Sequence, residues 1–298
     1  MKYKILIFPI ILLIVSCGGN ESNEKNKNSE NNKLRNNQLN ISVLWDLSDR
    51  IDDTKNSNTP SNAERDVEIL KFLSEYMKND MNKRGSFMSK GKIKIFFSPN
   101  PDNDQINLIA KKLDVDLSEK DVTAKKNIFD NITSDFESAA KSIVDITQKT
   151  SQWEGSDIYR FFKNDVIDYC VSQDTSYRNI LVVVTDGYIY HKNSTQVINN
   201  RTEFLLPKIL GGYKLRNNPN FKSKIEKNDY GFITTRNDLS KLEILVLEIN
   251  SEKNHKDDED IIKSYLEKWF TEMKVKKFSI YNTDIPINTK KRIENFLN

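Results

Sequence analysis

Cysteine and histidine are scarce in this chain, with two of each among 298 residues. Two cysteines cannot build the disulfide framework of a small secreted domain, and neither His191 nor His255 has the neighbours that are typical of a zinc site. Glycine is also sparse, at nine residues, and none belongs to a phosphate-binding loop or a nucleophile elbow. These absences argue against several common classes of metal, nucleotide and hydrolase site.

The N-terminus carries a short apolar run behind two lysines. The run extends from Ile5 to Val15, which is shorter than the roughly 20 residues needed to span a bilayer. Ser16 and Cys17 follow, and this arrangement resembles the lipobox of bacterial lipoproteins. The resemblance implies that residues 1–16 are a signal peptide and that Cys17 is acylated after cleavage. The alternative is an ordinary secretory signal beside a chance cysteine.

The predicted anchor sets the expected location. Residues 17–38 are rich in Gly, Asn, Glu, Ser and Lys, so they predict a flexible tether. We therefore expect the protein in the cell envelope, held by lipid on a membrane, namely the outer membrane of a Gram-negative bacterium. The chain has 46 basic and 43 acidic residues, and loss of Lys2 and Lys4 with the signal peptide leaves 44 and 43. This near-neutral balance gives no electrostatic case for nucleic acid.

Cys170 is the other cysteine. If Cys17 carries lipid, Cys170 has no partner and no intramolecular disulfide can form. It lies in an apolar helical pattern, which predicts a buried structural thiol.

Apolar runs alternate with helical patterns along residues 39–298. This alternation is typical of one α/β domain with a mainly parallel sheet. The predicted strands are Asn40–Asp46, Lys92–Ser98, Ile180–Thr185, Leu242–Ile249 and Lys277–Tyr281. Helices are predicted from Ser61, where a capping box begins, and over Ile106–Leu113, Ala124–Thr147, Asp157–Ser172, Asp257–Lys274 and Thr289–Leu297. Residues 192–228 are polar and irregular apart from 204–210.

Two of the predicted strands end in an acid. Asp46 closes the first strand with Ser48 two residues later, and Asp186 follows the predicted strand Ile180–Thr185. In an open α/β sheet the ligand crevice lies beyond the carboxyl ends of the strands. Carboxylates and hydroxyls there would supply the oxygen ligands that Mg²⁺ prefers.

At this point the pattern resembles a von Willebrand factor A (VWA) domain. That family builds a metal-ion-dependent adhesion site from Asp-x-Ser-x-Ser after the first strand, a Thr in a later loop and an Asp after the central strand. Asp46 and Ser48 match the first piece, Ser156 stands for the Thr, and Asp186 matches the last. The resemblance implies a three-layer Rossmann-like fold and a Mg²⁺ or Mn²⁺ ion held by these residues. It also implies a protein or peptide partner, not an enzymatic reaction.

Arg50 departs from the family pattern, because it occupies the place of the second Ser. Arginine cannot ligate a metal, and it brings a fixed positive charge. The site could bind metal more weakly, use another oxygen donor or have lost its metal; Arg50 could also pair with Asp49 and point away. Arg50, Asp157 and Tyr188 are the residues that we expect to contact the partner.

Each piece also has a structural explanation. Asp-x-Ser and Asp-Gly are common turns after strands, and Ser156 or Asp157 could cap a helix. The acidic run 257–260 suits the N-terminus of a helix better than a calcium site. A rival function is a metal-dependent hydrolase of a phosphorylated substrate, with His191 as the base. A third possibility is a metal-free scaffold in which Arg50 replaces the cation.

Overall fold

The computed structural model describes residues 37–55, 59–150, 152–251 and 255–298. The predicted signal peptide, the acylation site at Cys17 and all but the last two residues of the predicted tether lie outside the described residues. The first strand begins at Gln38, one residue before the predicted start of the domain. None of the helices in the described ranges is both long and apolar enough to cross a membrane.

A six-stranded sheet forms the centre of the molecule, and three short strands form a separate small sheet. The strands in chain order are β1 (Gln38–Trp45), β2 (Lys92–Phe96), β3 (Val115–Asp116), β4 (Tyr177–Val184), β5 (Val197–Ile198), β6 (Arg201–Thr202), β7 (Gly231–Phe232), β8 (Leu242–Ile249) and β9 (Lys277–Asn282). The central order is β3-β2-β1-β4-β8-β9, and only the edge strand β3 is antiparallel. The α/β class with a mainly parallel sheet is therefore confirmed, while β3 was not predicted.

Helices cover both faces of this sheet. They are α1 (Asn62–Met88), α2 (Asp104–Lys112), α3 (Val122–Thr147), α4 (Ile158–Arg160, Phe161–Asp165 and Val166–Cys170), α5 (Pro207–Gly212), α6 (Phe221–Lys227), α7 (Asp258–Glu272) and α8 (Pro286–Leu297). Side chains of β4 alternate between two cores, with Val182 in the core under α1, α2, α3 and α8, and Val183 in the core under the other four helices. The expected three layers follow from this alternation.

Helix boundaries agree with the sequence where a cap is encoded locally. The Ser61 hydroxyl accepts a hydrogen bond from Glu64 N at 3.2 Å, and the Glu64 carboxylate accepts one from Ser61 N at 2.7 Å, which is the predicted capping box. The predicted helix Asp157–Ser172 is wrong in detail. Its middle part, Phe161–Asp165, is a π-helical turn, and it ends at Cys170. Cys170 itself is fully buried, as predicted.

The stretch 192–228 contains more regular structure than the sequence predicted. Strand β6 pairs with β5 on one side and with β7 on the other, and α5 and α6 follow β6. Arg216 donates hydrogen bonds to both oxygens of Asp258, at 2.7 and 2.6 Å. Since Asp258 lies in the first turn of α7, this ion pair ties the stretch to the main domain.

Candidate functional site

The candidate site lies at the carboxyl edge of the central sheet. Strands β1 and β4 are parallel neighbours, so Asp46 and Asp186 emerge side by side from their ends. A cavity of about 330 Å³ opens there, lined by Ser48, Arg50, Ser156, Asp186 and Asn250 among others. The structure thus brings the four predicted metal-binding positions to one edge of the sheet.

Asp46 is buried and forms hydrogen bonds through both carboxylate oxygens. One oxygen accepts from Ser48 N at 2.9 Å and the other from the Thr185 hydroxyl at 2.7 Å. Burial raises the pKa of Asp46, and the nearby Arg50 guanidinium opposes this shift. Thr185 therefore belongs to the site, although the sequence analysis treated it only as the end of a strand.

Asp186 is partly exposed because its side chain opens onto the cavity. Its carboxylate accepts a hydrogen bond from Tyr188 N at 2.9 Å. Burial among protein groups raises the pKa of Asp186 to about 7, and the negative charge of Asp46 adds to the shift. Two neighbouring carboxyl groups resist ionising together because their negative charges repel each other. A cation bound between them would offset this repulsion.

Ser156 provides a hydroxyl with no internal partner. Its side chain is 2% exposed, its Oγ forms no hydrogen bond within the described structure, and the residue lines the cavity. The backbone holds it in place, because Ser156 N donates to Tyr190 O at 2.8 Å. Gly155 precedes it with φ of 84°, and a Cβ there would lie 2.3 Å from Tyr190 O. A buried polar atom without a partner is costly, so Ser156 Oγ marks a position for a ligand or water.

Arg50 points into the protein. Its guanidinium donates to both oxygens of Asp66 on α1, at 2.5 and 3.1 Å, and to Asp46 O at 3.3 Å. Asp66 also accepts from Trp45 Nε1 at 2.7 Å. Asp49, which the sequence offered as a partner for Arg50, has a carboxylate oxygen 2.9 Å from Lys55 Nζ. The charge of Arg50 is thus matched by Asp66, and no local sequence signal identifies that pairing.

A second buried ion pair completes the network below the cavity. Arg65 donates to Glu248 at 2.6 Å, and both side chains are buried. Burial raises the pKa of Glu248, and Asp66 adds to the shift. With Asp46 and Asp186, the cluster holds four carboxylates and two guanidiniums, which leaves two negative charges when all are ionised. One divalent cation would balance the cluster.

Asp157 lies beside Ser156 but turns away from the cavity. Its carboxylate accepts from the Ser194 hydroxyl at 2.6 Å, and its other oxygen lies 3.1 Å from His191 Nδ1. Asp157 and His191 are both buried and neither lines the cavity. The rival hydrolase would need its general base close to Asp46 and Asp186. His191 does not line the cavity at these carboxylates, so it is poorly placed for that role.

Tyr188 lies on the cavity wall. Its hydroxyl donates to Asp258 at 2.8 Å, so the ring is held between the site and α7. Arg50, at 4% exposure, and the fully buried Asp157 offer a partner little surface. Among the three residues expected to contact a partner, Tyr188 is the most accessible.

Within the described ranges, no group of three or more His, Cys, Asp or Glu side chains is arranged to hold a metal ion. The candidate site differs from such a group because it combines two carboxylates with hydroxyls. No protein-family model matches the chain, and no curated protein matches its sequence.

Proposed function

We propose that this protein binds a protein or peptide partner through a divalent cation at the carboxyl edge of its sheet, in the manner of a VWA domain. Asp46, Ser48, Ser156 and Asp186 would hold Mg²⁺ or Mn²⁺ directly or through water. The cation, once bound, supplies an open coordination position for an acidic group of the partner.

The observation that carries the proposal is the combination, at one edge of the sheet, of two neighbouring carboxyl groups and an unpartnered hydroxyl, with Asp186 and Ser156 both lining the cavity. Ser156 Oγ lacks a hydrogen bond, and the pKa of Asp186 is raised to about 7 beside Asp46. A divalent cation would relieve both conditions, since it accepts oxygen ligands and replaces the bound proton. It would also balance the two excess negative charges of the buried cluster.

Arg50 is proposed to act on the site through its charge. It stands where the family has a third hydroxyl ligand, so one protein ligand is missing and a water would take that place. Arg50 is already paired with Asp66, so its positive charge does not neutralise Asp46 and Asp186 in place of the cation. We therefore expect weaker metal binding than a site with both serines would give.

The proposed setting is the cell envelope. This part of the proposal is supported by the lipobox-like residues before Cys17, which predict an acylated N-terminus; the membrane that we propose is the outer one. The chain would then act as a membrane-held adhesion or assembly factor with no role for nucleic acid.

Titration of the full-length chain with Mn²⁺, followed by calorimetry and by the electron paramagnetic resonance of free Mn²⁺, tests the proposal. We expect one site in the wild type and at least a tenfold loss of affinity in Asp46→Asn and Asp186→Asn. Ser156→Ala should give a smaller loss, and Asp52→Asn, which follows Ser48 on the same loop but does not line the cavity, should bind as the wild type does. Absence of saturable Mn²⁺ binding, or equal binding by all variants, would overturn it.

A further inference from the structure

A second cavity adjoins the proposed cation site. It has a volume of about 260 Å³ and lies between the start of α2 and the end of α3. Gly155 lines both cavities. Leu47 lines the second cavity, and its neighbour Ser48 lines the first. A ligand that enters one cavity is therefore within reach of the other.

The walls of the second cavity combine apolar surface with negative charge. Leu47, Ile146 and Trp153 are partly exposed side chains that supply apolar and aromatic surface. Asp102 and Glu154 lie at the rim and are exposed, and no lysine or arginine lines the cavity. No ion pair or hydrogen bond engages either carboxylate in the part of the chain that the structure describes.

This combination selects for one kind of side chain. An aliphatic stem gains from contact with apolar walls, and a cationic head gains from carboxylates and from an indole face. An acidic side chain would be repelled, and a purely apolar one would leave the two carboxylates without a counter-charge. We infer that the second cavity binds a basic side chain of the partner, of the arginine or lysine type.

The recognised partner would then be a segment with an acidic and a basic side chain a few residues apart. Gly155 lines both cavities, and a Cβ at this position would collide with Tyr190 O. Two side chains of one short segment would therefore enter the two cavities together. The acidic half of this motif rests on the proposed function, whereas the basic half depends only on the second cavity.

Trp153 offers a direct readout on the full-length chain. Of the three tryptophans, Trp45 and Trp269 are buried at 0% and 2% exposure, while Trp153 lines the cavity. Acetyl-arginine amide and acetyl-lysine amide, titrated to about 10 mM, should change the emission saturably, with the matching heat seen by calorimetry. Acetyl-norleucine amide and acetyl-glutamate amide should not. The emission change should vanish in Trp153→Phe.

Charge variants then test whether the carboxylates that line this cavity, and not other nearby acids, bind the basic side chain. Asp102→Asn and Glu154→Gln should each raise Kd for acetyl-arginine amide by roughly two- to fivefold, as exposed ion pairs do. The matched control is Asp104→Asn, an exposed acid two residues from Asp102 that does not line the cavity. The inference is overturned if neither method detects binding, if norleucine binds equally well, or if Asp104→Asn weakens binding as much as Asp102→Asn.

Asp186→Asn distinguishes the two proposals. It should leave Kd for acetyl-arginine amide unchanged while weakening Mn²⁺ binding at least tenfold. Peptides with one arginine and one glutamate separated by zero to three alanines should bind at least tenfold more tightly with Mn²⁺ than without it at the best spacing. If arginine amide binds but Mn²⁺ does not, the cation proposal fails and the proposal for the second cavity stands. If Mn²⁺ binds but arginine amide does not, the reverse holds.

Discussion

Replacing Asp186 by asparagine should stabilise the metal-free protein at alkaline pH and change its stability much less in acid. Burial and the neighbouring Asp46 raise the pKa of Asp186 to about 7. Asparagine keeps an oxygen that can accept from Tyr188 N, so the local hydrogen bond survives. The substitution therefore removes the charge with little other change.

The magnitude follows from proton linkage. The unfolded chain releases this proton near pH 4, while the folded chain keeps it until about pH 7, so folding loses stability as pH rises through that window. The penalty from Asp186 is about 1 kcal/mol at pH 4.5 and about 4 kcal/mol at pH 8. Because the side chain opens onto a solvated cavity, we expect roughly half of these values. Asparagine carries no such penalty.

Urea unfolding of wild type and Asp186→Asn in EDTA at pH 4.5 and pH 8 measures this difference. The variant should be more stable at pH 8 by about 2 kcal/mol, and the gap should shrink to about 0.5 kcal/mol at pH 4.5. Asp52→Asn is the control of opposite sign, because a hydrogen bond from the Thr54 hydroxyl lowers the pKa of Asp52. A gap that does not depend on pH, or a wild type more stable than the variant at pH 8, would refute the reasoning.

Three further outcomes are expected. Arg50→Ala should cost about 3–5 kcal/mol of stability in urea unfolding because it leaves buried Asp66 uncompensated, and a loss below about 1 kcal/mol would contradict the ion-pair geometry. Gly155→Ala should lower the free energy of unfolding by about 2 kcal/mol or more and weaken Mn²⁺ binding. Gly212→Ala is the control, because a Cβ there meets no atom within 4 Å, and its effect in the same assays should be much smaller. Burial raises the pKa of Cys170 to about 12, so this thiol should resist iodoacetamide at pH 8 until urea unfolds the chain. Mass spectrometry maps the labelled residue, and rapid labelling of Cys170 in the native protein would contradict this expectation.

The sheet was predictable because its signals are local. The five consecutive apolar residues from Ile180 to Val184 predict a strand that is buried on both faces. All five are buried in the structure. The capping box at Ser61 marked the start of α1 for the same reason. Strand β3 escaped prediction because two residues, Val115 and Asp116, are too short to carry a periodic pattern.

The site was predictable only in outline. Strand ends placed Asp46 and Asp186 together, since the edge of a parallel sheet gathers the carboxyl ends of its strands. The partners of Arg50 and of Asp157 could not be read from the chain. Asp66 lies on the next helix, and Ser194 comes 37 residues after Asp157, so their meeting depends on tertiary packing alone.

Strand β1 has a mechanical consequence. Its first residue, Gln38, continues the N-terminal segment, and its last leads to the site about 26 Å away along eight residues. A partner pulling at Asp46 against an N-terminal anchor would load β1 along its axis, so its bonds to β2 and β4 would resist together in shear. Arg178, which pairs with Leu39 in the sheet, donates to Leu297 O, so the last helix ends at the same pole as Gln38. Pulling between Gln38 and Asn298 would instead peel bonds one at a time. Force spectroscopy with handles at Asn37 and Asp49 should give a higher rupture force than handles at the chain ends of the domain, and a lower one would contradict this load path.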